Sequence, residues 1–138
     1  MQLRSLTLAI TLTACVAHTA GPSVSVAKSV QLNKTGEVVD ISAALVPDHV
    51  TIVDFWAESC GACTVVAGKV EAQIANEPRI VVRKVDVGDG FTAVAKANDI
   101  SALPHYNVYD RRRRLRYILI ANDCLRAPQL ARELLAEE

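Results

Sequence analysis

Aromatic residues are scarce in this chain of 138 residues: one Trp, three Tyr and two Phe, or 4% of the total. Its core must therefore rest mainly on Val, Ile, Leu and Ala, and the 51% hydrophobic content supplies them. An excess of charge is also missing. Fifteen Lys and Arg balance fifteen Asp and Glu, so nothing favours nucleic acid or an acidic substrate as partner. Cysteines are few, and Cys15, Cys60, Cys63 and Cys124 are too unevenly spaced for a disulfide-stapled framework. Long hydrophobic runs are absent too: the uncharged run from Ser5 to Ala14 is shorter than the ~20 apolar residues of a membrane-spanning helix. There is no internal repeat and no low-complexity stretch. The length fits one domain with an appendage.

What is present centres on Cys60-Gly61-Ala62-Cys63. Val50 to Trp56 is β-branched and aromatic with one acid, Asp54, and reads as a buried strand. After Cys63, Val66, Val70 and Ile74 recur every four residues, the stripe of a helix. The two cysteines thus lie where a strand ends and a helix begins. A thiol there faces unpaired backbone N–H groups and the positive end of the helix dipole, which favours the thiolate. Two intervening residues let one helical turn bring the sulfurs into disulfide range. This is the geometry of a reversible dithiol, with Cys60 the attacking thiol and Cys63, a turn further in, the resolving one. The competing readings are a structural disulfide or half of a zinc site. Zinc wants four ligands, and the other candidates, Cys124, His18, His49 and His105, lack paired spacing. No metal is expected, and no cofactor beyond the dithiol.

The segment Val53-Asp54-Phe55-Trp56-Ala57-Glu58-Ser59-Cys60-Gly61-Ala62-Cys63 resembles the active-site segment of thioredoxins. Ser59 stands where the family usually has Trp, and Ala62 where it usually has Pro. These departures bear on redox potential and partner surface rather than on fold. The resemblance implies that Asp54, whose pKa burial should raise, helps deprotonate Cys63, with Lys84 as its partner. It also implies that Pro104 is the family's cis proline, packed against the dithiol, and that Leu103 offers its backbone to a substrate chain. Trp56, Gly61, Ala62, Leu103 and Pro104 are the candidate substrate-contacting residues. Trp56 reads as packing beneath the active-site loop.

The rest of the chain fits that frame. Met1 to Ala14 reads as a secretory signal, and Leu12-Thr13-Ala14-Cys15 resembles a bacterial lipobox, which implies lipidation of Cys15. The alternative is an ordinary signal cut near Ala17 or Ala20. Residues 15–28 are small and polar and read as a flexible tether. The domain spans 29–138. Val30–Leu32 and Glu37–Val39 flank Asn33-Lys34-Thr35-Gly36, a short N-terminal hairpin. Membrane-anchored reductases of cytochrome c maturation carry a similar hairpin, although their central insertion is not seen here. Asp40 or Ser42 caps a short helix. The helix after Cys63 ends before Pro78, a strand covers Ile80–Val87, and a short helix covers Phe91–Ala97. Strands over Tyr106–Tyr109 and Leu115–Ile120 are joined through Asp110 and Arg111–Arg114. A last helix begins at Pro128.

The order β-α-β-α-β-α-β-β-α is the α/β thioredoxin fold, a central mixed sheet flanked by helices. The arginine run reads as a solvated hairpin tip, with contact to anionic lipid headgroups as its alternative. His105 reads as facing the sheet surface, or as a titrating neighbour of the site. Cys124 is either close to the active-site surface or a small buried core residue. The function read from these residues is an extracytoplasmic thiol–disulfide oxidoreductase. It exchanges disulfides with protein substrates, in the reductase direction, and is served by an upstream dithiol donor or acceptor. It is held to a membrane through a lipid anchor, or is periplasmic or secreted. Oxidant or isomerase is the second reading, and a non-enzymatic binding module is the third.

Overall fold

The computed structural model of the chain describes residues 25–137. The signal, the lipobox with Cys15 and most of the tether lie outside the described residues. Five strands form one sheet in the order β1-β3-β2-β4-β5. β1 (Ser29–Gln31) and β2 (Val50–Trp56) both run parallel to β3 (Ile80–Asp86). β4 (His105–Tyr109) runs antiparallel to β2, and β5 (Leu115–Ile120) antiparallel to β4. The helices are α1 (Ile41–Ala44), α2 (Gly61–Ile74), α3 (Ala93–Ala97) and α4 (Ala127–Ala136), the last entered through a 3-10 segment, Ala121–Arg126.

The apolar layer on each face of the sheet follows from alternation along the strands. On the α2 and α4 side lie Val50, Ile52, Val82, Tyr106 and Val108. On the α1 and α3 side lie Val53, Phe55 and Val85. β2 and β3 are buried along most of their length; β2 is apolar but for Thr51 and Asp54, whereas β3 carries Arg83, Lys84 and Asp86 among its Val and Ile. Burying each Val or Ile contributes roughly 1.5–3 kcal/mol. As the composition requires, Val and Ile dominate the fully buried side chains, with Tyr106 and Phe55 the two large aromatics among them.

Long-range polar contacts close the ends of this frame. The Lys28 ammonium donates to the carbonyls of Ile74 (2.6 Å) and Glu77 (2.5 Å), and Arg132 donates to the carbonyl of Gln73 (2.6 Å). These bonds pin the last turn of α2 and the loop that follows it to the incoming chain and to α4. Arg83, buried in β3, donates to the carbonyls of Ala27 and Ala44 and so ties the incoming chain and α1 to the sheet.

Two expectations are corrected here. Glu37–Val39 forms no strand, so there is no N-terminal hairpin. The turn residues dock on the end of β3 instead. Asn33 Oδ1 accepts from the Asp86 amide (2.9 Å), Asn33 Nδ2 and the Gly36 amide donate to the Asp86 carbonyl, and Thr35 Oγ1 donates to the Asp86 carboxylate (2.7 Å). Gly36 is needed in this loop. It has φ +73°, and a Cβ there would lie 2.8 Å from Thr92 Cγ2. The second correction is His105, which does not face an open sheet surface. It is buried, edge-on to Phe55 with ring centroids 5.6 Å apart, and its Nε2 lies 3.1 Å from Asn107 Oδ1. Burial lowers its pKa, so it is neutral at physiological pH.

Candidate active site

Parallel strands leave their carboxyl ends on one side of the sheet, where crossover helices begin and reactive groups collect. β2 ends at Trp56 on that side, and α2 starts five residues later, at Gly61, with Cys60 as its N-cap. β4 runs the other way, so its beginning rather than its end lies beside the dithiol, as the pairing of Phe55 with His105 records. The Leu103–Pro104 bond immediately before β4 is cis.

Cys60 and Cys63 are joined as a disulfide, with Cα atoms 5.3 Å apart. Cys60 is partly accessible, whereas Cys63 is 2% exposed. The Cys63 amide donates to Cys60 Sγ at 3.1 Å. An N–H of the first turn therefore already points at the sulfur that would carry negative charge after reduction, and α2 adds the dipole of its fourteen residues. Glu58, Ser59, Gly61 and Ala62 around the disulfide are all exposed.

Beneath Cys63 lies a cavity of about 270 Å³, lined by Asp54, Trp56, Cys63, Glu71, Lys84 and the α2 residues between them. Asp54 sits on the α2 side of β2, opposite Lys84 in β3 and Tyr106 in β4. Its side chain is 2% exposed, and neither oxygen accepts a hydrogen bond from the described residues. The Lys84 ammonium is 3.9 Å from Asp54 Oδ2 and 3.7 Å from Glu71 Oε1, and it lies 5.6 Å from the Trp56 ring centroid. Burial pushes the Asp54 pKa up, Lys84 pulls it back and Glu71 adds to the rise; the balance holds it at about 7. A carboxylate poised there can take or return a proton near neutral pH. Trp56 spans the cavity and the N-terminal strand, since its Nε1 donates to Gln31 Oε1 at 3.1 Å.

The structure therefore brings Cys60, Cys63, Asp54, Lys84 and Trp56 together, with Leu103 and Pro104 at the head of the adjoining strand. Cys124 is not at the active-site surface. It is fully buried, its Sγ lies 3.3 Å from the Leu119 carbonyl and 3.5 Å from that of Pro104, and burial pushes its thiol up to about 12. It is an inert core residue. Among the described residues no group of three or more His, Cys, Asp or Glu could hold a metal. Glu71 was not legible as a site residue: in sequence it is one more charged position on a helix.

The family model described as thioredoxin matches residues 30–123. Thioredoxin-1 of Saccharomyces cerevisiae is 29% identical over 83 residues, which cover 60% of this chain and 80% of the yeast protein. Thioredoxin 1 of Plasmodium falciparum is 34% identical over 76 residues, covering 55% of this chain and 72% of that protein. Among solved structures, the oxidised thioredoxin from Plasmodium falciparum gives a TM-score of 0.57 at 26% identity, covering 79% of this chain and 98% of its own. The reduced thioredoxin pre-protein of Schistosoma mansoni gives 0.61 at 19% identity, covering 78% and 99%, a likeness of fold.

Proposed function

The chain belongs to the thioredoxin family and is a thiol–disulfide oxidoreductase with Cys60 and Cys63 as its redox pair; on that premise we propose that it reduces protein disulfides outside the cytoplasm, with Asp54 and Lys84 assisting Cys63. The observation that carries the reading is the placement of the pair: Cys60 accessible at the N-terminus of α2, and Cys63 buried against the cavity that holds Asp54.

The cycle starts from the reduced dithiol. Cys60 thiolate attacks one sulfur of a substrate disulfide. That disulfide breaks, its other sulfur leaves as thiolate and takes a proton from solvent, and a mixed disulfide forms. Cys63 then gives its proton to Asp54 and attacks Cys60 Sγ. The mixed disulfide breaks, the second substrate sulfur leaves, and the Cys60–Cys63 bond closes. The substrate gains two electrons and the dithiol loses two, so an upstream dithiol donor must restore it. In this reading the substrate chain lies on Trp56, Gly61, Ala62 and Leu103, with the buried Pro104 beside them as the remaining contact residue. Lipidation at Cys15 and membrane anchorage belong to the same proposal and rest on the leader sequence.

The test uses single substitutions. Cys63→Ser should accumulate mixed disulfides with substrate, because the resolving thiol is gone. Cys60→Ser should trap almost nothing and be inactive. Asp54→Ala should still attack but release substrate slowly near neutral pH. Equal trapping by the two Ser variants, or more by Cys60→Ser, would reverse the roles. With a small dithiol donor the wild-type protein should reduce insulin disulfides; failure to do so turns the reading to the non-enzymatic binding module, and the equilibrium redox potential separates reductase from oxidant or isomerase.

A further inference from the structure

The pairing of Asp54 with Lys84 does not account for the whole cavity. A second carboxylate, Glu71, reaches the same ammonium from α2, and at 3.7 Å it is no farther from Nζ than Asp54 is at 3.9 Å. Glu71 lies eight residues after Cys63 and four after Ala67, on the stripe of α2 that faces the cavity. The small residues Ala67 and Gly68 separate it from Cys63, and a Cβ at Gly68 would meet nothing within 4 Å. Its side chain is 42% exposed, at the solvent side of the cavity, whereas that of Asp54 is 2% exposed at the base. Glu71 Oε1 accepts no hydrogen bond from the described residues, so its place beside Lys84 is purely electrostatic.

We propose that Glu71 is a positioning residue for the resolving step: by sharing the Lys84 ammonium it leaves Asp54 incompletely neutralised, and so able to accept the Cys63 proton. The inference rests on the role given to Asp54 above. Its physical basis is a count of charge. With both carboxylates ionised, Asp54, Glu71 and Lys84 sum to −1. When the Cys63 Sγ–H bond breaks and an O–H bond forms on Asp54, the group becomes neutral while the negative charge moves to sulfur. Without Glu71 the same transfer would leave a net positive group, and Asp54, fully paired with Lys84, would hold its charge and refuse the proton. The other titratable groups that face Asp54 do not supply this effect. Tyr106, on β4, and Cys124, in the 3-10 segment, are held neutral by burial, and Cys63 is the proton donor itself. The direction of the Glu71 influence on Asp54 is the one this geometry requires.

The experiment is a carboxyl-carbon NMR titration of Asp54 in the oxidised protein, paired with the pH profile of substrate release from the mixed disulfide on Cys60. Glu71→Gln keeps the shape of the side chain and removes its charge. The Asp54 midpoint should fall by roughly half a unit or more, and the acid limb of the release profile should move the same way. Glu71→Asp, which keeps the charge, should restore most of the wild-type behaviour. A purely structural role would move neither. An Asp54 midpoint that is unchanged or higher in Glu71→Gln overturns the inference. If Asp54→Ala slows release while Glu71→Gln shifts nothing, only the role of Glu71 falls. If Asp54→Ala leaves release and its pH profile unchanged, the role of Asp54 falls and that of Glu71 falls with it.

Discussion

At Asp54 a carboxyl group stands in an apolar strand with Lys84 nearby but with no hydrogen bond to either oxygen. Its pKa is raised from the ordinary carboxylate value to about 7, first by burial. Between those two pH values the folded protein binds a proton that the unfolded chain has released, so stability falls as pH rises through the interval. Asp54→Asn removes the cost. The oxidised variant should be on the order of 2–4 kcal/mol more stable than wild type near pH 8, and the two should converge below about pH 4, where both side chains are neutral. Denaturant midpoints at the two pH values measure it. A constant difference across the range would mean that packing, not ionisation, separates the two proteins. The raised pKa is thus a local instability kept at the position where a proton acceptor is useful.

Among the elements, the β4–β5 hairpin shows how a charge run acquires a fold. Arg111 to Arg114 read as a solvated tip, and Arg112 and Arg113 are exposed. The turn is nonetheless organised by an acid. Asp110, 5% exposed, accepts from the amides of Arg112 and Arg114 (both 2.9 Å) and from Arg114 Nε (2.8 Å), and Arg116 lies 3.4 Å away. Burial pushes its pKa up, but the hydrogen bonds from Arg114 and Arg112 outweigh that and hold it below the ordinary carboxylate range. A depressed pKa gives stability that is present above the ordinary value and is lost as pH falls through the folded one. Asp110→Ala should cost about 2–3 kcal/mol at neutral pH, less in strong acid, and leave dithiol activity intact, because the hairpin tip lies at the far end of β4 from Pro104. Chemical denaturation at neutral and acid pH, with insulin reduction alongside, checks both parts.

For the whole molecule the decisive fact is polarity. The chain enters β1 at the end of the sheet opposite the dithiol, because β1, β2 and β3 are parallel and Cys60 follows the far end of β2. A tether joined there would hold the domain with its redox pair directed away from the point of attachment. If Cys15 carries the anchor, mass spectrometry of membrane-extracted protein should find a mature chain that begins at Cys15 and bears acyl mass, with two or more chains for firm attachment. A soluble mature form beginning after Ala17 or Ala20 would remove the anchor from the proposal.

Apart from the cis proline, which the resemblance to thioredoxins implied, the sequence by itself determined the strand–CxxC–helix unit, the order of the main elements and the Val- and Ile-rich core. Each of these is local: period, capping, turn chemistry and one specific motif are written in neighbouring residues. Tertiary structure alone decided the rest. Asn33 to Gly36 read as a hairpin turn from local composition, yet beside its local bonds to Glu37 this loop is held by Asp86, about fifty residues away in the chain. His105 and Cys124 each had two readings, because a side chain's burial depends on which elements pack over it. Glu71 carried no signal at all, since its meaning depends on Lys84, which reaches it only when β3 lies under α2. Proton affinity at Asp54 is set the same way, by burial and by Lys84, which the fold, not the local sequence, brings within about 4 Å of both Asp54 and Glu71.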